Sequence, residues 1–349
     1  MDQGARFPRV SAKAGHYESF YIKACRPGGG RGIWIRHTVH KRPGAEPKGS
    51  IWFCLFDREA DGPRATKATV PATELSVPAD GWIRVDGAEI GPGYARCSGA
   101  PFLPHGYEKR TGTEGEASTG TEGEAISWDL TFSGDAEPCK YLPSDRLYET
   151  RLPKTKFVAP FPDARFEGRL EVDGETIELD RWPGMIGHNW GTEHAERWVW
   201  LEGTGFADSP DTYFDAGAAR IELGPWTTPW IPSGMLMLEG KTHRLGGFGQ
   251  IRGATIEASA GECRFTLPGK DIVVRGKVSA PKKDFVGWVY ADPKGPEHHT
   301  INCSVSDLDL TVERPSLAPL HLSLPGGAAY EFGMRETDHG IPIQPYPDG

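Results

Sequence analysis

Leu170-Glu171-Val172-Asp173-Gly174-Glu175-Thr176-Ile177-Glu178-Leu179 holds two alternating runs joined by Asp-Gly. Leu170 and Val172 before the joint, and Ile177 and Leu179 after it, fall on one face of a period-2 ribbon. Asp-Gly accepts the positive φ angles of a two-residue turn, so the stretch predicts a β-hairpin. The same pattern recurs over residues 83–90 around Asp86-Gly87, and over residues 235–245 around Glu239-Gly240-Lys241. Single strands surround these hairpins. Ile126, Trp128, Leu130 and Phe132 alternate with Ser127, Asp129, Thr131 and Ser133. Ile33, Ile35, His37 and Val39 oppose Trp34, Arg36, Thr38 and His40. Residues 50–56 are almost continuously apolar and predict a central strand. Further strands are expected over 255–258, 263–267, 272–278, 285–291, 300–306 and 308–312. No amphipathic pattern sustains a helix beyond three turns. With 45 glycines and 30 prolines as punctuation, the expected class is all-β, built as barrels or sandwiches.

A chain of 349 residues suggests about two domains. The Pro-rich stretch 153–162 is the natural break, giving domains 1–160 and 161–349. The run Thr-Gly-Thr-Glu-Gly-Glu-Ala at 111–117 recurs at 119–125. It carries no large apolar side chain to bury, so residues 111–125 are expected to be an acidic surface loop of the first domain.

Composition narrows the function. Net charge is −9 and no Lys/Arg cluster occurs, which argues against nucleic acid and against a polybasic membrane anchor. No run reaches the roughly 18 apolar residues of a spanning helix, which leaves only peripheral membrane contact open. Residues 1–8 lack the apolar core of an export signal, so a cytoplasmic location is expected. Cys25, Cys54, Cys97, Cys139, Cys263 and Cys303 form no CxxC pair; free, buried thiols are expected. Walker, GxGxxG and GxSxG patterns are missing, which disfavours nucleotide binding and serine hydrolysis. The 11 tryptophans exceed what a core of this size needs, so some should line a pocket.

The densest chemistry is Gly187-His188-Asn189-Trp190-Gly191-Thr192-Glu193-His194-Ala195-Glu196-Arg197-Trp198-Val199-Trp200. It leads into a strand on which Trp198 and Trp200 share one face. Gly-His-Asn-Trp-Gly followed by Glu-His and Trp-x-Trp resembles the carotenoid 1,2-hydratase (hydroxyneurosporene synthase)/AttH-like group. So do Gly15-His16-Tyr17-Glu18-Ser19-Phe20-Tyr21 and Trp34-Ile35-Arg36-His37-Thr38-Val39-His40. The resemblance implies two lipocalin-like halves around a ligand cavity. Related members hydrate, cyclise or rearrange hydrophobic polyenes and isoprenoids. The substrate itself does not follow, because function lives in the site rather than the fold.

Acid-initiated chemistry on an alkene needs a carboxylic acid kept protonated by burial, and aromatic faces for the developing cation. Glu193 or Glu196 can be that acid, with His188 or His194 setting its protonation and Trp190, Trp198 and Trp200 as the wall. Asn189, Glu18 and His37 are candidate ligand contacts. Asp215, between aromatic neighbours in Tyr213-Phe214-Asp215, is a second candidate acid. The plainer reading is that His188 and Asn189 satisfy backbone groups, Glu196 pairs on the surface and the tryptophans are core. His188 and His194 lie six residues apart, without HExxH spacing, and His298-His299 face opposite ways on a strand. No metal and no other cofactor is expected. The first function expected is a cofactor-independent hydratase, cyclase or isomerase acting on a hydrophobic small molecule. The alternatives are a non-catalytic carrier of such a molecule and an interaction protein with a filled core. An ionisable group inside the cavity separates the enzyme from the others.

Overall fold

The computed structural model describes residues 4–98 and 126–346. The acidic repeat at 111–125 lies outside the described residues. The chain is all-β, and the helical turns among the described residues are short 3₁₀ segments. Two large antiparallel sheets carry it. The first curls into a nearly closed barrel and the second into a half-barrel, the architecture of two lipocalin-like domains.

The predicted hairpins form where the turn chemistry placed them. Asp173 and Gly174 adopt φ of 51° and 80°, with Val172 paired to Glu175. Glu239 and Gly240 do the same at 53° and 73°, joining Leu238 to Lys241. Asp86 takes 51° between Val85 and Ala88. The strands expected at 300–306 and 308–312 are one strand, Glu297–Glu313, with register shifts around Ser306. All six cysteines are free and buried.

The first sheet centres on β1 (His16–Cys25), which lies between β2 (Arg31–Lys41) and the strand Glu175–Gly191. β3 (Lys48–Asp57) follows β2, and the strand Thr155–Val172 follows Glu175–Gly191. The sheet turns back on itself: a Cβ on Gly49 would meet Leu75 and Val85 at its far edge. The division drawn at 160/161 needs correction, because Thr155–Val172 and Glu175–Gly191 both belong to this first sheet. The chain passes to the second sheet between Gly191 and Arg197. Pro160 and Pro162 do not mark a linker. They sit in a strand with register shifts between Val158 and Phe161 and between Phe161 and Ala164, and bulges are where a sheet tolerates residues without an N–H.

β1 is buried on both faces, and its alternation sorts two environments. Phe20, Ile22 and Ala24 join Ile33, Ile35, Val39, Ile51, Phe53 and Leu55 in the core of the first barrel. Tyr17, Ser19, Tyr21, Lys23 and Cys25 point the other way, into a seam with the second sheet. There Arg197–Phe206 presents Trp198, Trp200 and Glu202, while Val199 and Leu201 enter the core of the second domain. Two glycines make the close fit possible. A Cβ on Gly187 would come within 2.0 Å of the Tyr21 ring, and one on Gly333 within 2.1 Å of the Trp198 ring.

Candidate active site

Residues singled out in the sequence separate onto the two faces of β1 rather than meeting in one pocket. On the barrel side, Glu18 is completely buried. Its carboxylate accepts the backbone N–H groups of Arg6 at 2.8 and 2.9 Å and Phe7 at 2.8 Å. It also contacts His188 Nε2 at 2.9 Å and His16 Nε2 at 3.3 Å. Burial alone would raise its pKa, but the two histidines bring it down to about 2. Glu18 is therefore an anion fastening the N-terminal segment, and His188 is its partner. His188 also stacks on Phe20 at 3.9 Å. Trp190 lies beneath the Arg6 guanidinium at 4.2 Å and packs on Tyr148 and Val158. His37 is different: it is fully buried, both ring nitrogens lack a partner among the described residues, and burial lowers its pKa to about 3. It is a neutral imidazole in an apolar barrel, 6.4 Å from the Trp128 ring.

Glu193 and Glu196 lie in the passage between the sheets. Glu193 is half exposed and pairs with Lys154 at 2.5 Å, and Glu196 takes Arg335 Nε at 2.6 Å. Both are ion-paired and partly exposed. Glu193→Gln should leave unfolding free energy within about 0.5 kcal/mol of the parent, the usual scale for an exposed pair; urea titration measures it. Asn189 is half-buried, and its Oδ1 has no partner among the described residues.

His194 enters the seam. Its ring stacks on Tyr17 at 4.0 Å and on Trp198 at 5.5 Å. Both its Nδ1 and its backbone N–H meet Asp292 Oδ1 at 2.7 Å. Buried His298 stands 5.9 Å away, ring to ring. Beside them Glu331 accepts Trp198 Nε1 at 2.9 Å, Tyr290 OH at 3.1 Å and Asn302 Nδ2 at 3.3 Å. The Arg36 guanidinium covers Tyr290 at 4.1 Å.

Further along the seam is Asp215, which the strand Ser209–Arg220 directs to the same side as Tyr213. Trp200 Nε1 donates to its Oδ1 at 2.9 Å, and the Tyr141 hydroxyl bonds its Oδ2. Tyr21 meets the Trp200 ring edge-on at 5.4 Å, and Phe157 packs on Tyr141 at 4.4 Å. Burial raises the Asp215 pKa from 3.8 to about 7; the Tyr141 and Trp200 hydrogen bonds oppose the shift and nearby Glu202 adds to it. Met235, its cross-strand partner, and Tyr213 line a cleft of about 520 Å³ with Cys139, Thr242 and Arg244. Asp215 itself does not line this cleft; its neighbours Tyr213 and Met235 do, and its raised pKa makes it an acid able to hold or release a proton near neutrality.

Of the sequence candidates, Trp200 and Asp215 come together, as do His194 with Trp198, and Glu18 with His188. Tyr17, Tyr21, Tyr141, Asp292 and Glu331 are not among the sequence candidates, and His298 is set aside there as half of an adjacent pair. Tyr17 and Tyr21 were readable as the second face of β1, opposite Glu18. Asp292 carries no local signal.

No family model matches the chain. It is 23% identical over 339 residues to an uncharacterized protein of Mycobacterium tuberculosis, Rv0493c in strain H37Rv and MT0513 in strain CDC 1551, covering 96% of this chain and 91% of that one. Among solved structures, CghA superposes with a TM-score of 0.53 at 9% identity, covering 95% of this chain and 91% of its own. A candidate AttH of Nitrosomonas europaea gives 0.49 at 11%, covering 95% and 97%. Kievitone hydratase of Nectria haematococca gives 0.45 at 12%, covering 93% and 90%. The likeness to CghA supports the fold: two lipocalin-like sheets in one chain. No helix among the described residues is long and apolar enough to cross a membrane.

Proposed function

We propose that this protein is an enzyme that protonates a carbon–carbon double bond of a hydrophobic, isoprenoid or polyene-like small molecule, with Asp215 as the acid. The observation that carries the reading is a buried carboxyl whose pKa burial raises to about 7, held by Trp200 and Tyr141 with Tyr21 edge-on to the Trp200 ring. Transfer of its proton forms a C–H bond as the π bond breaks. The cation left on the neighbouring carbon is favoured by the aromatic faces. In hydration, water adds to that carbon and returns a proton to the Asp215 carboxylate. In cyclisation an internal double bond closes on the cation before a proton is returned, and in isomerisation an adjacent C–H returns it. Each route is redox-neutral and regenerates the acid. Trp200 and Tyr141 orient the carboxyl, and exclusion of water preserves its proton until substrate arrives. Membership of the carotenoid 1,2-hydratase/AttH-like group is part of the same proposal and rests on the motifs at 15–21, 34–40 and 187–200.

The test is turnover in deuterated water with a panel of polyenes and isoprenoids, read by mass spectrometry. The parent protein should place deuterium on carbon in at least one compound, and Asp215→Asn should not. A compound that binds both proteins and returns unlabelled would instead support the carrier reading. His37 favours that alternative, as an imidazole without a partner among the described residues inside an apolar barrel. A carrier using that space would lose affinity in His37→Leu and keep it in Asp215→Asn.

A further inference from the structure

We propose that His194, Asp292 and His298 form a binding site for one divalent first-row transition-metal ion. One ligand atom from each of the three lies within 4.8 Å of the others. Two imidazoles and one carboxylate are the donor set that catalytic zinc and non-haem iron sites use with open positions left over. The spacing is close to what such an ion needs. Ligand atoms about 2.0–2.1 Å from a tetrahedral zinc stand roughly 3.3 Å apart. His194 Nδ1 is 2.7 Å from Asp292 Oδ1, and His298 Nδ1 is 4.0 Å from Asp292 Oδ2. The second distance is too long for a hydrogen bond, yet a small rotation of either side chain brings it into coordination range.

A second observation is independent of the spacing. His298 is completely buried, and neither of its ring nitrogens has a partner among the described residues. A dry imidazole whose lone pair meets no donor is unfavourable, and a bound cation satisfies it. The surroundings suit an ion held by three protein groups. The His194 backbone N–H donates to Asp292 Oδ1 at 2.7 Å and holds the carboxylate in place. The rings of Tyr17, Trp198 and Tyr290 stand around His194. The site is distinct from Asp215, and its occupancy does not depend on the function proposed there.

The experiment uses the full-length chain, stripped with chelator and titrated with zinc chloride by calorimetry and with cobalt(II) by visible absorption. The expected result is one zinc per chain, a higher melting temperature on loading, and a cobalt spectrum of low coordination number. His298→Ala and Asp292→Asn should abolish all three. His299→Ala should keep them, because His299 faces the other way and its Nδ1 lies 3.1 Å from Arg335 O. Asp215→Asn should also keep them, so that loss of metal binding and loss of turnover are separable. The proposal is overturned if the parent takes up no stoichiometric metal, which decides the matter even where a variant fails to fold. It is equally overturned if His298→Ala binds as the parent does, the result expected of adventitious surface sites.

Discussion

Asp215→Asn is expected to make the protein more stable above neutral pH while lowering turnover by about 10²–10⁴-fold, the usual worth of a general acid. The two effects share one cause. In the unfolded chain this carboxyl titrates near 3.8, and in the folded protein at about 7. Below the lower value both states are protonated and the group does not affect folding. Between the two values the folded state keeps a proton that the unfolded state has lost, so stability falls as pH rises. Above about 7 both states are ionised and the folded one carries a buried charge. The full difference is on the order of 4 kcal/mol by the pKa-to-energy conversion. Asparagine keeps the shape and never ionises. Urea unfolding across pH should therefore show the variant matching the parent near pH 4, gaining steadily to about pH 7 and holding its lead beyond. A flat difference across that range would show that Asp215 does not hold its proton on folding. A stabilised variant with undiminished turnover would remove it from the chemistry.

What the sequence made legible was local. Asp173-Gly174 and Glu239-Gly240 fix their turns through backbone conformations that few residues adopt, so the hairpins follow from two residues at a time. The outward face of β1 was not legible in that way. Tyr17, Ser19, Tyr21 and Lys23 alternate with Glu18, Phe20 and Ile22 as a wet face alternates with a dry one, yet the second sheet covers them. Only tertiary packing shows that Lys23 is buried. The candidate acid illustrates the same limit. Glu193 and Asp215 are equivalent carboxylates in the sequence, and what separates them is Trp200 and Tyr141 around one and Lys154 beside the other. The His194–Asp292–His298 cluster escaped for a further reason. His194 lies 98 residues before Asp292, and His298 drew notice only as the neighbour of His299, which points away from it. The Pro-rich stretch misled in the opposite sense, because bulges admit proline into a strand that sequence alone reads as a linker.

Lys23→Met is expected to destabilise the protein by about 3–5 kcal/mol, the scale for breaking a buried ion pair from one side. Lys23 and Glu202 have no solvent exposure, and their Nζ and Oε2 atoms are 2.6 Å apart. The lysine also donates to Gly327 O at 2.5 Å, and Thr204 Oγ1 donates to Glu202 Oε1 at 2.6 Å. The pair ties β1 of the first sheet to the Arg197–Phe206 strand of the second, directly below Tyr21, Trp200 and Asp215. Methionine fills similar space but strands the Glu202 carboxylate in a dry seam, where an unpaired charge is strongly unfavourable. Lys23→Met combined with Glu202→Leu removes both charges and should recover most of the loss, since an apolar pair of similar volume often replaces a buried ion pair without penalty. A double-mutant cycle by chemical denaturation measures the coupling directly. If the double variant is no more stable than the single one, the pair is not what holds the two sheets together at this point. If recovery is complete and turnover on an identified substrate falls all the same, the ion pair also serves the chemistry, through the negative charge that Glu202 places near Asp215.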